Sequence, residues 1–167
     1  MDFDKTMSLL SALGRHDVDY VLVGGVAVGL HGLVRATEDV DLFIRPDASN
    51  VERLKTALRS VWTDPSIDEI HAEDLLGEYP AVRYGPPDDD LTVDILTRLG
   101  EAFGYSDLAV QVIEVDGIEV RLATPATLYR MKRDTVRPLD RQDAQALKER
   151  FDLPDEDGPA GGDETCQ

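Results

Sequence analysis

The spacing of hydrophobic positions divides the chain into short helices and strands. A helical period predicts one helix over residues 3–14, closed by Gly14, and another from a cap at Asp47 or Ser49 to about Trp62. Short apolar runs predict strands over residues 19–23, 40–44, 81–84, 91–96, 110–115 and 118–122. Residues 26–33 predict a short helix between the first two strands.

The C-terminal third has clear turn and cap signals. Asp116-Gly117 predicts a tight hairpin between the last two strands. Thr124-Pro125 predicts the start of a helix that runs to about residue 134, and a last helix is expected over about 140–151. Residues 63–79 are ambiguous, with room for one short helix, and residues 97–108 are expected to form a loop with at most a helical turn. The order of elements predicts an α+β fold, with a mixed β-sheet flanked by helices and a short helical C-terminal part over about 124–151.

Composition favours one domain. The chain has 167 residues, 42% of them hydrophobic, which suits a single core over residues 1–151. Residues 152–167 contain six acidic residues and no Lys or Arg, and predict an acidic disordered tail. No apolar run is long enough to cross a bilayer and the N-terminus is acidic, so we expect a cytoplasmic protein without a membrane partner.

Charge and cysteine content restrict the functional class further. The net charge of −17 disfavours a protein that binds nucleic acid through a broad electrostatic surface, although it permits a nucleic-acid substrate at one metal-loaded site. Solubility or adaptation to salt is the simpler explanation of this charge. The one cysteine, Cys166, permits no intramolecular disulfide and disfavours a Cys/His zinc site.

The central motif combines two glycines with two carboxylates. Gly24-Gly25 is followed, after thirteen residues, by Asp39-Val40-Asp41. Residues two apart on a strand point to the same side, so Asp39 and Asp41 should project together. Adjacent carboxylates repel unless a cation lies between them, and Mg²⁺ prefers carboxylate oxygens together with substrate phosphates. The pair therefore predicts a magnesium site, although an exposed strand edge would show the same alternation.

Two further features strengthen this interpretation. Asp94 lies inside the apolar run Thr92–Leu96, where an unpaired buried acid would be costly, so it should face a site or a solvated edge. As a third metal ligand it could help take a proton from an acceptor hydroxyl. Gly24-Gly25 lies where a strand turns into a helix, and glycines with free N–H groups could hold a triphosphate there. A simple tight turn is the alternative.

Together these motifs resemble a known group of enzymes. Gly24-Gly25, Asp39-Val40-Asp41 and Asp94 look like the polymerase-β-type nucleotidyltransferase superfamily. The string from Val23 to Ala27, His31-Gly32 and the run from Arg35 to Leu42 look more narrowly like the AbiEii-type toxins of type IV toxin–antitoxin systems. The C-terminal string Lys132 … Arg137-Pro138-Leu139-Asp140-Arg141-Gln142-Asp143 is similar to that group's Lys … Arg-x-x-Asp-x-x-Asp signature. The resemblance covers about residues 20–150, and the chain is shorter at its C-terminal end than many toxins of this kind.

The resemblance implies a role for each matching position. Asp39, Asp41 and Asp94 would hold two Mg²⁺ ions, and Asp94 would also act as a base. Lys132 would approach the triphosphate and count among the catalytic residues. The nucleotide-binding positions would be Gly24, Gly25, Arg35, Thr37, Lys132, Asp140 and Asp143, with Asp140 or Asp143 orienting the lysine.

Several of these residues also have simpler explanations. Arg35 could pair with Glu38 or Asp39 instead of a triphosphate, and Lys132 could be a surface lysine. Acids such as Asp140 and Asp143 favour the start of any helix. His31 is expected to be structural, and the Asp88-Asp89-Asp90 run is expected to be a solvated loop, since it lacks the ligand pattern of an EF-hand.

The predicted activity is transfer of a nucleoside monophosphate from a nucleoside triphosphate to an acceptor hydroxyl, with release of pyrophosphate. The toxin-like resemblance points to the 3′ end of tRNA or to a protein as acceptor, and to a possible antitoxin partner. Two alternatives stay open: a small-molecule enzyme of the aminoglycoside or lincosamide nucleotidyltransferase kind, or a non-catalytic relative that binds nucleotide or a partner. A compact acidic domain would suit a cationic aminoglycoside.

Overall fold

A computed structural model describes residues 2–154, which form six α-helices, eight strands and two short 3₁₀ helices. The helices are α1 (Phe3–Arg15), α2 (Gly24–Leu30), α3 (Ala48–Val61), α4 (Ala72–Leu76), α5 (Pro125–Arg133) and α6 (Pro138–Phe151). The strands are β1 (Tyr20–Val23), β2 (Asp39–Ile44), β3 (Ala81–Tyr84), β4 (Thr92–Leu96), β5 (Arg98–Leu99), β6 (Phe103–Gly104), β7 (Val110–Val115) and β8 (Ile118–Ala123). The 3₁₀ helices cover Pro65–Glu69 and Tyr105–Asp107.

Six strands form one mixed sheet in the order β3-β4-β2-β1-β8-β7. β2 runs parallel to β4 and β1 runs parallel to β8, whereas the other neighbours are antiparallel. The strands that carry the predicted carboxylates, β2 and β4, are therefore direct neighbours inside the sheet. The predicted α+β class with a mixed sheet is confirmed.

The core lies between this sheet and the helices α1 and α3. The apolar stripe of α1 is fully buried at Leu9, Leu10 and Leu13, and α3 buries Leu54 and Leu58 in the same way. Because successive strand residues face opposite sides, β2 and β4 bury apolar residues such as Val40 and Val93 and leave alternate positions for polar groups. Both helices are fixed at their N-termini by a carboxylate cap. The Asp2 side chain accepts a hydrogen bond from the backbone N–H of Lys5, and the Asp47 side chain accepts one from that of Asn50.

The structure differs from the predicted elements in four places. A small β5–β6 hairpin and a 3₁₀ helix replace the loop expected over residues 97–108. The ambiguous residues 63–79 contain a 3₁₀ helix as well as α4. α2 begins directly at Gly24, because these glycines take the chain from strand into helix without a linker. α6 begins at Pro138 and not at Asp140, since a proline in the first turn already has a helical φ and needs no N–H partner.

The two ends of the sequence add little to this description. No helix among residues 2–154 is long and apolar enough to cross a membrane. Residues 152–154 of the predicted acidic tail follow α6, and its residues 155–167 lie outside the described part of the chain. The division into one domain and a tail stays a prediction.

Candidate active site

Three carboxylates lie side by side on neighbouring strands. Asp41 on β2 is the register partner of Asp94 on β4, and Asp39 lies two residues before Asp41 on the same face. The residue between them, Val40, is fully buried on the opposite face, whereas Asp39 and Asp41 are half-buried. All three aspartates line one cavity of about 480 Å³. The alternation read from the sequence therefore produces one acidic wall.

Gly24 is required because Asp41 lies against it. The glycine has a φ of +69°, and a Cβ placed there would lie 2.0 Å from Asp41 Oδ2. Both facts exclude an ordinary side chain, since this backbone region disfavours L-residues and the carboxylate already fills the space. The first glycine of the pair thus makes room for a carboxylate of the protein itself.

Gly25 serves a second contact in the same turn. A Cβ there would lie 3.0 Å from Thr37 Cβ, 3.1 Å from Thr37 Oγ1 and 3.5 Å from Arg35 Cζ. The Thr37 hydroxyl accepts a hydrogen bond from the backbone N–H of Asp39 at 3.3 Å, which fixes the start of β2. The Gly-Gly pair therefore packs the α2–β2 connection onto the first turn of α2.

The acidic wall is electrostatically strained. The pKa of Asp41 is raised from 3.8 to about 6, first by burial and then by the negative charges of Asp94 and Asp39, against a smaller opposing effect of Lys132. A cation placed among these carboxylates would relieve the strain, so the donor chemistry fits a hard divalent ion.

Asp94 has a partner of its own. Arg83 on β3 donates two hydrogen bonds to it, from Nε at 2.8 Å and from a terminal nitrogen at 3.1 Å. Among residues 2–154, no three Asp, Glu, His or Cys side chains converge closely enough to enclose a metal ion in this arrangement. The three aspartates are therefore adjacent, but both carboxylate oxygens of Asp94 accept hydrogen bonds from the Arg83 guanidinium.

A buried charge network forms the opposite wall of the cavity. Lys132 on α5 donates hydrogen bonds from Nζ to Asp140 Oδ1 and to Asp143 Oδ2, both at 3.0 Å. The side chains of Lys132 and Asp143 are 9% and 6% exposed, so these charges are largely removed from water. Lys132 is thus held by two acids of α6 and is not a surface lysine.

Arg35 joins the same network from the α2–β2 connection. Its Nε lies 3.0 Å and 3.1 Å from the two carboxylate oxygens of Asp143. Arg35 therefore pairs with Asp143 and not with Glu38 or Asp39, the simpler alternative read from the sequence, because the chain folds back to place α6 beside it. Asp143 is consequently shared by Arg35 and Lys132 and lies behind the cavity, whereas Asp140 lines it.

Comparison with known proteins identifies the family. The model of the family described as "Nucleotidyl transferase AbiEii toxin, Type IV TA system" matches residues 8–153. The chain belongs to the AbiEii nucleotidyltransferase toxin family. The resemblance read from the sequence is thereby confirmed, and by family the chain is a nucleotidyltransferase. No curated protein matches it.

Solved structures agree on the fold of this AbiEii-family chain. An antigenic nucleotidyltransferase-like protein from Paracoccidioides brasiliensis is 21% identical, with a TM-score of 0.52 over 87% of this chain and 75% of that one. ANT(2")-Ia, solved in complex with adenylyl-2"-tobramycin, is 15% identical, with a TM-score of 0.52 over 90% of each chain. JHP933 from Helicobacter pylori is 21% identical, with a TM-score of 0.52 over 89% of this chain and 65% of that one. At these identities the likeness is one of fold.

The remaining residues considered from the sequence have structural contacts. His31 Nε2 donates a hydrogen bond to the Ala123 carbonyl at 2.8 Å, and its ring packs edge-on against Phe151. Asp89 accepts a hydrogen bond from Trp62 Nε1 at 3.1 Å. Within residues 2–154, Asp88, Asp89 and Asp90 do not form a group that could hold a metal ion. These contacts agree with the structural histidine and the solvated loop that were expected for the AbiEii-family chain.

Sequence reasoning missed the other half of the cavity lining. Arg83 follows no motif, and only its position opposite Asp94 in the β3–β4 register brings it to the acidic wall. The cavity of this AbiEii-family site also has an apolar side that includes Leu99 and Val136, which are 38% and 84% exposed. The one available signal was the alternation in β3, which places Arg83 on the same side as Ala81.

Proposed function

We propose that the chain transfers a nucleoside monophosphate from a nucleoside triphosphate to an acceptor hydroxyl. The observation that supports this best is a single cavity lined by Asp39, Asp41 and Asp94 on one side and by Lys132 on the other. In this reaction the acceptor oxygen bonds to the α-phosphorus, the bond from that phosphorus to the bridging oxygen breaks, and pyrophosphate leaves. The proton of the hydroxyl passes to Asp94, the base of the reaction.

The acidic wall is the proposed metal site. Asp39, Asp41 and Asp94 would hold two Mg²⁺ ions, since all three are hard oxygen donors on one face of the sheet. Bound there, such ions would polarise the α-phosphate and stabilise the negative charge on the attacking hydroxyl oxygen and on the leaving pyrophosphate oxygen. The mutual repulsion of the three carboxylates supports this proposal, because a divalent cation removes a cost that the protein carries without it.

The opposite wall would bind the triphosphate. The Lys132 ammonium, held by Asp140 and Asp143, would face the β- and γ-phosphates as a fixed positive charge. Two acids, Asp143 buried and Asp140 partly buried, fix the position of Lys132 before the substrate arrives, so little reorganisation is needed during the reaction. Gly24 and Gly25 in the first turn of α2, together with Arg35 and Thr37 in the α2–β2 connection, would support the phosphates.

An RNA 3′ end is the proposed acceptor, in a cytoplasmic setting with an antitoxin protein as partner. The family description as a toxin supports this choice, and so does the local charge. Residues 130–141 contain five of the 17 basic residues of a chain with net charge −17 (Arg130, Lys132, Arg133, Arg137 and Arg141). Arg137 lines the cavity itself and its side chain is 76% exposed. A local positive segment beside the active site suits a phosphate backbone.

A cationic small molecule is the second candidate acceptor. The fold likeness to ANT(2")-Ia, a protein solved with an adenylylated tobramycin, favours it together with the acidic surface. In this case Asp39, Asp41 and Asp94 would serve the same transfer, and only the acceptor would differ.

A label-transfer assay tests the proposal. Purified protein is incubated with Mg²⁺, each of the four α-labelled triphosphates, and total RNA, total protein or an aminoglycoside panel. Label on RNA that disappears in an Asp39→Asn/Asp41→Asn variant supports the proposed function. Label on a drug would establish the second candidate, and label on protein would move the acceptor to a side chain. Nucleotide binding without any transfer would instead indicate a non-catalytic relative.

A further inference from the structure

Arg83 is a charged residue of the cavity lining that the proposed reaction does not use. It lies on β3, directly opposite Asp94 in the antiparallel β3–β4 register. Its guanidinium holds both oxygens of the Asp94 carboxylate, at 2.8 Å and 3.1 Å. A two-point pair of this geometry is the strongest form of arginine–carboxylate contact. Arg83 therefore determines where the third carboxylate of the acidic wall points.

The other cations of the cavity walls are engaged with α6. Lys132 is bound to Asp140 and Asp143, and Arg35 is bound to Asp143. Within residues 2–154, Arg83 is the arginine that pairs with the acidic wall, and it is bound to Asp94. Arg83 thus supplies positive charge to the three aspartates, as a bound metal ion would.

A guanidinium and a divalent cation cannot both hold the same edge of one carboxylate. With Arg83 in place, no three ligand side chains of residues 2–154 converge on a metal position. We infer that Arg83 is a positioning residue that competes with the divalent cation for Asp94 and leaves it when the metal binds. This inference rests on the proposed metal site of Asp39, Asp41 and Asp94.

Exposure shows that such an exchange is feasible. The Arg83 side chain is 68% exposed, so most of it is already in contact with solvent and little buried surface opposes its movement away from Asp94. Asp94 is only 21% exposed and stays on the sheet. An ion pair with one exposed partner contributes modestly, so loss of Arg83 should tighten metal binding by about two- to fivefold.

Metal titration of the intact protein tests the exchange. Mn²⁺ is titrated into wild-type protein and into Arg83→Gln by calorimetry, without nucleotide, after circular dichroism has shown that both are folded. Arg83→Gln is expected to bind Mn²⁺ about two- to fivefold more tightly. Arg83→Lys, which keeps the charge but loses the two-point geometry, should fall between the two proteins. An unchanged or weaker affinity in Arg83→Gln would overturn the inference.

A double-mutant cycle separates the exchange from a general charge effect. In an Asp94→Asn background, the Arg83→Gln change should no longer alter Mn²⁺ affinity, because the residue has nothing left to compete for. If Arg83→Gln raised the Mn²⁺ affinity equally in the wild-type and Asp94→Asn backgrounds, the cause would be the change in net charge, and the inference would be wrong. The same conclusion would follow if Arg137→Gln, in the same cavity, raised the Mn²⁺ affinity as much as Arg83→Gln. If Asp94→Asn itself left Mn²⁺ binding unaltered, or if no variant bound Mn²⁺, the proposed metal site would fail together with the inference.

Discussion

Gly24 shows how much one position contributes at the residue scale. Its positive φ and its contact with Asp41 Oδ2 mean that the carboxylate and the glycine occupy complementary volumes. A glycine before a helix is usually discussed for its approach to a ligand phosphate. Here the nearest atoms belong to the protein, so the glycine sets the position of Asp41 before any substrate binds.

Replacing Gly24 by alanine should disable the site at a modest cost in stability. The left-handed backbone costs about 1–2 kcal/mol for a residue with a Cβ, and the new methyl would push Asp41 out of place. We expect at least a 100-fold loss of label transfer, measured beside chemical denaturation. Gly29→Ala in the same helix is the matched control, since nothing lies within 4 Å of a Cβ there. Transfer at wild-type level in Gly24→Ala would contradict the assigned contact.

Asp41 is expected to reduce stability when no metal is bound. Its carboxylate is half-buried and lies beside Asp94 and Asp39, so the ionised form is disfavoured in the folded state. Asp41→Asn should therefore raise the free energy of unfolding in EDTA by about 1–2 kcal/mol, by removing the charge while keeping the shape. It should also abolish the stabilisation that Mg²⁺ gives to the wild-type protein.

Thermal unfolding with EDTA and with Mg²⁺ checks both effects. Glu38→Gln is the matched control, because this neighbouring acid is exposed and should leave both measurements unchanged. A destabilised Asp41→Asn protein would show that the carboxylate is satisfied without a cation, contrary to the proposed site.

At the scale of elements, α5 and α6 are joined by charge as well as by packing. Lys132 on α5 reaches two acids of α6, and Arg35 extends the link to the α2–β2 connection. These contacts connect the C-terminal helices to the segment that leads into Asp39. The helices therefore form one wall of the cavity and are not an independent appendage.

Asp143→Ala should break this link. Removing the shared acid leaves two largely buried cations short of a partner, although Lys132 keeps Asp140, so we expect a loss of about 2–4 kcal/mol in the free energy of unfolding. Urea denaturation measures it. Asp134→Ala, whose side chain is 84% exposed, is the control and should change stability by less than about 0.5 kcal/mol. A similarly small loss in Asp143→Ala would mean that the network is dispensable.

At the scale of the whole molecule, charge is unevenly distributed. The net charge is −17, yet residues 130–141 contain five basic residues, of which Lys132 and Arg137 line the cavity. A polyanionic acceptor would meet general repulsion from the protein and a local attraction beside the proposed active site. Such a charge distribution favours binding of one end of a nucleic acid over binding along the length of a duplex.

Arg137→Glu should weaken binding of the RNA acceptor more than binding of the nucleoside triphosphate. Reversing a charge at the cavity rim removes one phosphate contact and adds repulsion, so KM for RNA should rise about tenfold. KM for the triphosphate, measured by pyrophosphate release, should change much less. Arg59→Glu on α3 is the remote control, because Arg59 pairs with Asp68 and does not line the cavity. Equal increases for both substrates would argue against an acceptor role for this segment.

Local pattern was enough to predict most of the elements and the side-by-side arrangement of Asp39 and Asp41. Strand alternation places Asp39 and Asp41 on one face whatever the rest of the chain does, and the cap and turn residues fix where elements begin. The additional hairpin β5–β6 was missed because two-residue strands have no readable period. The family followed from the same local motifs, since their spacing is itself a local property.

Only the tertiary structure decided which charges meet. Arg35 and Asp143 are 108 residues apart in the chain, and no periodicity relates them. Strand register alone brings Arg83 to Asp94 and Asp94 to Asp41. Side-chain pairing across a fold depends on how the sheet is ordered and how helices pack on it, which the residues of one segment do not specify. The sequence by itself thus determined the chemistry of the cavity, and the fold determined the partner of each charge.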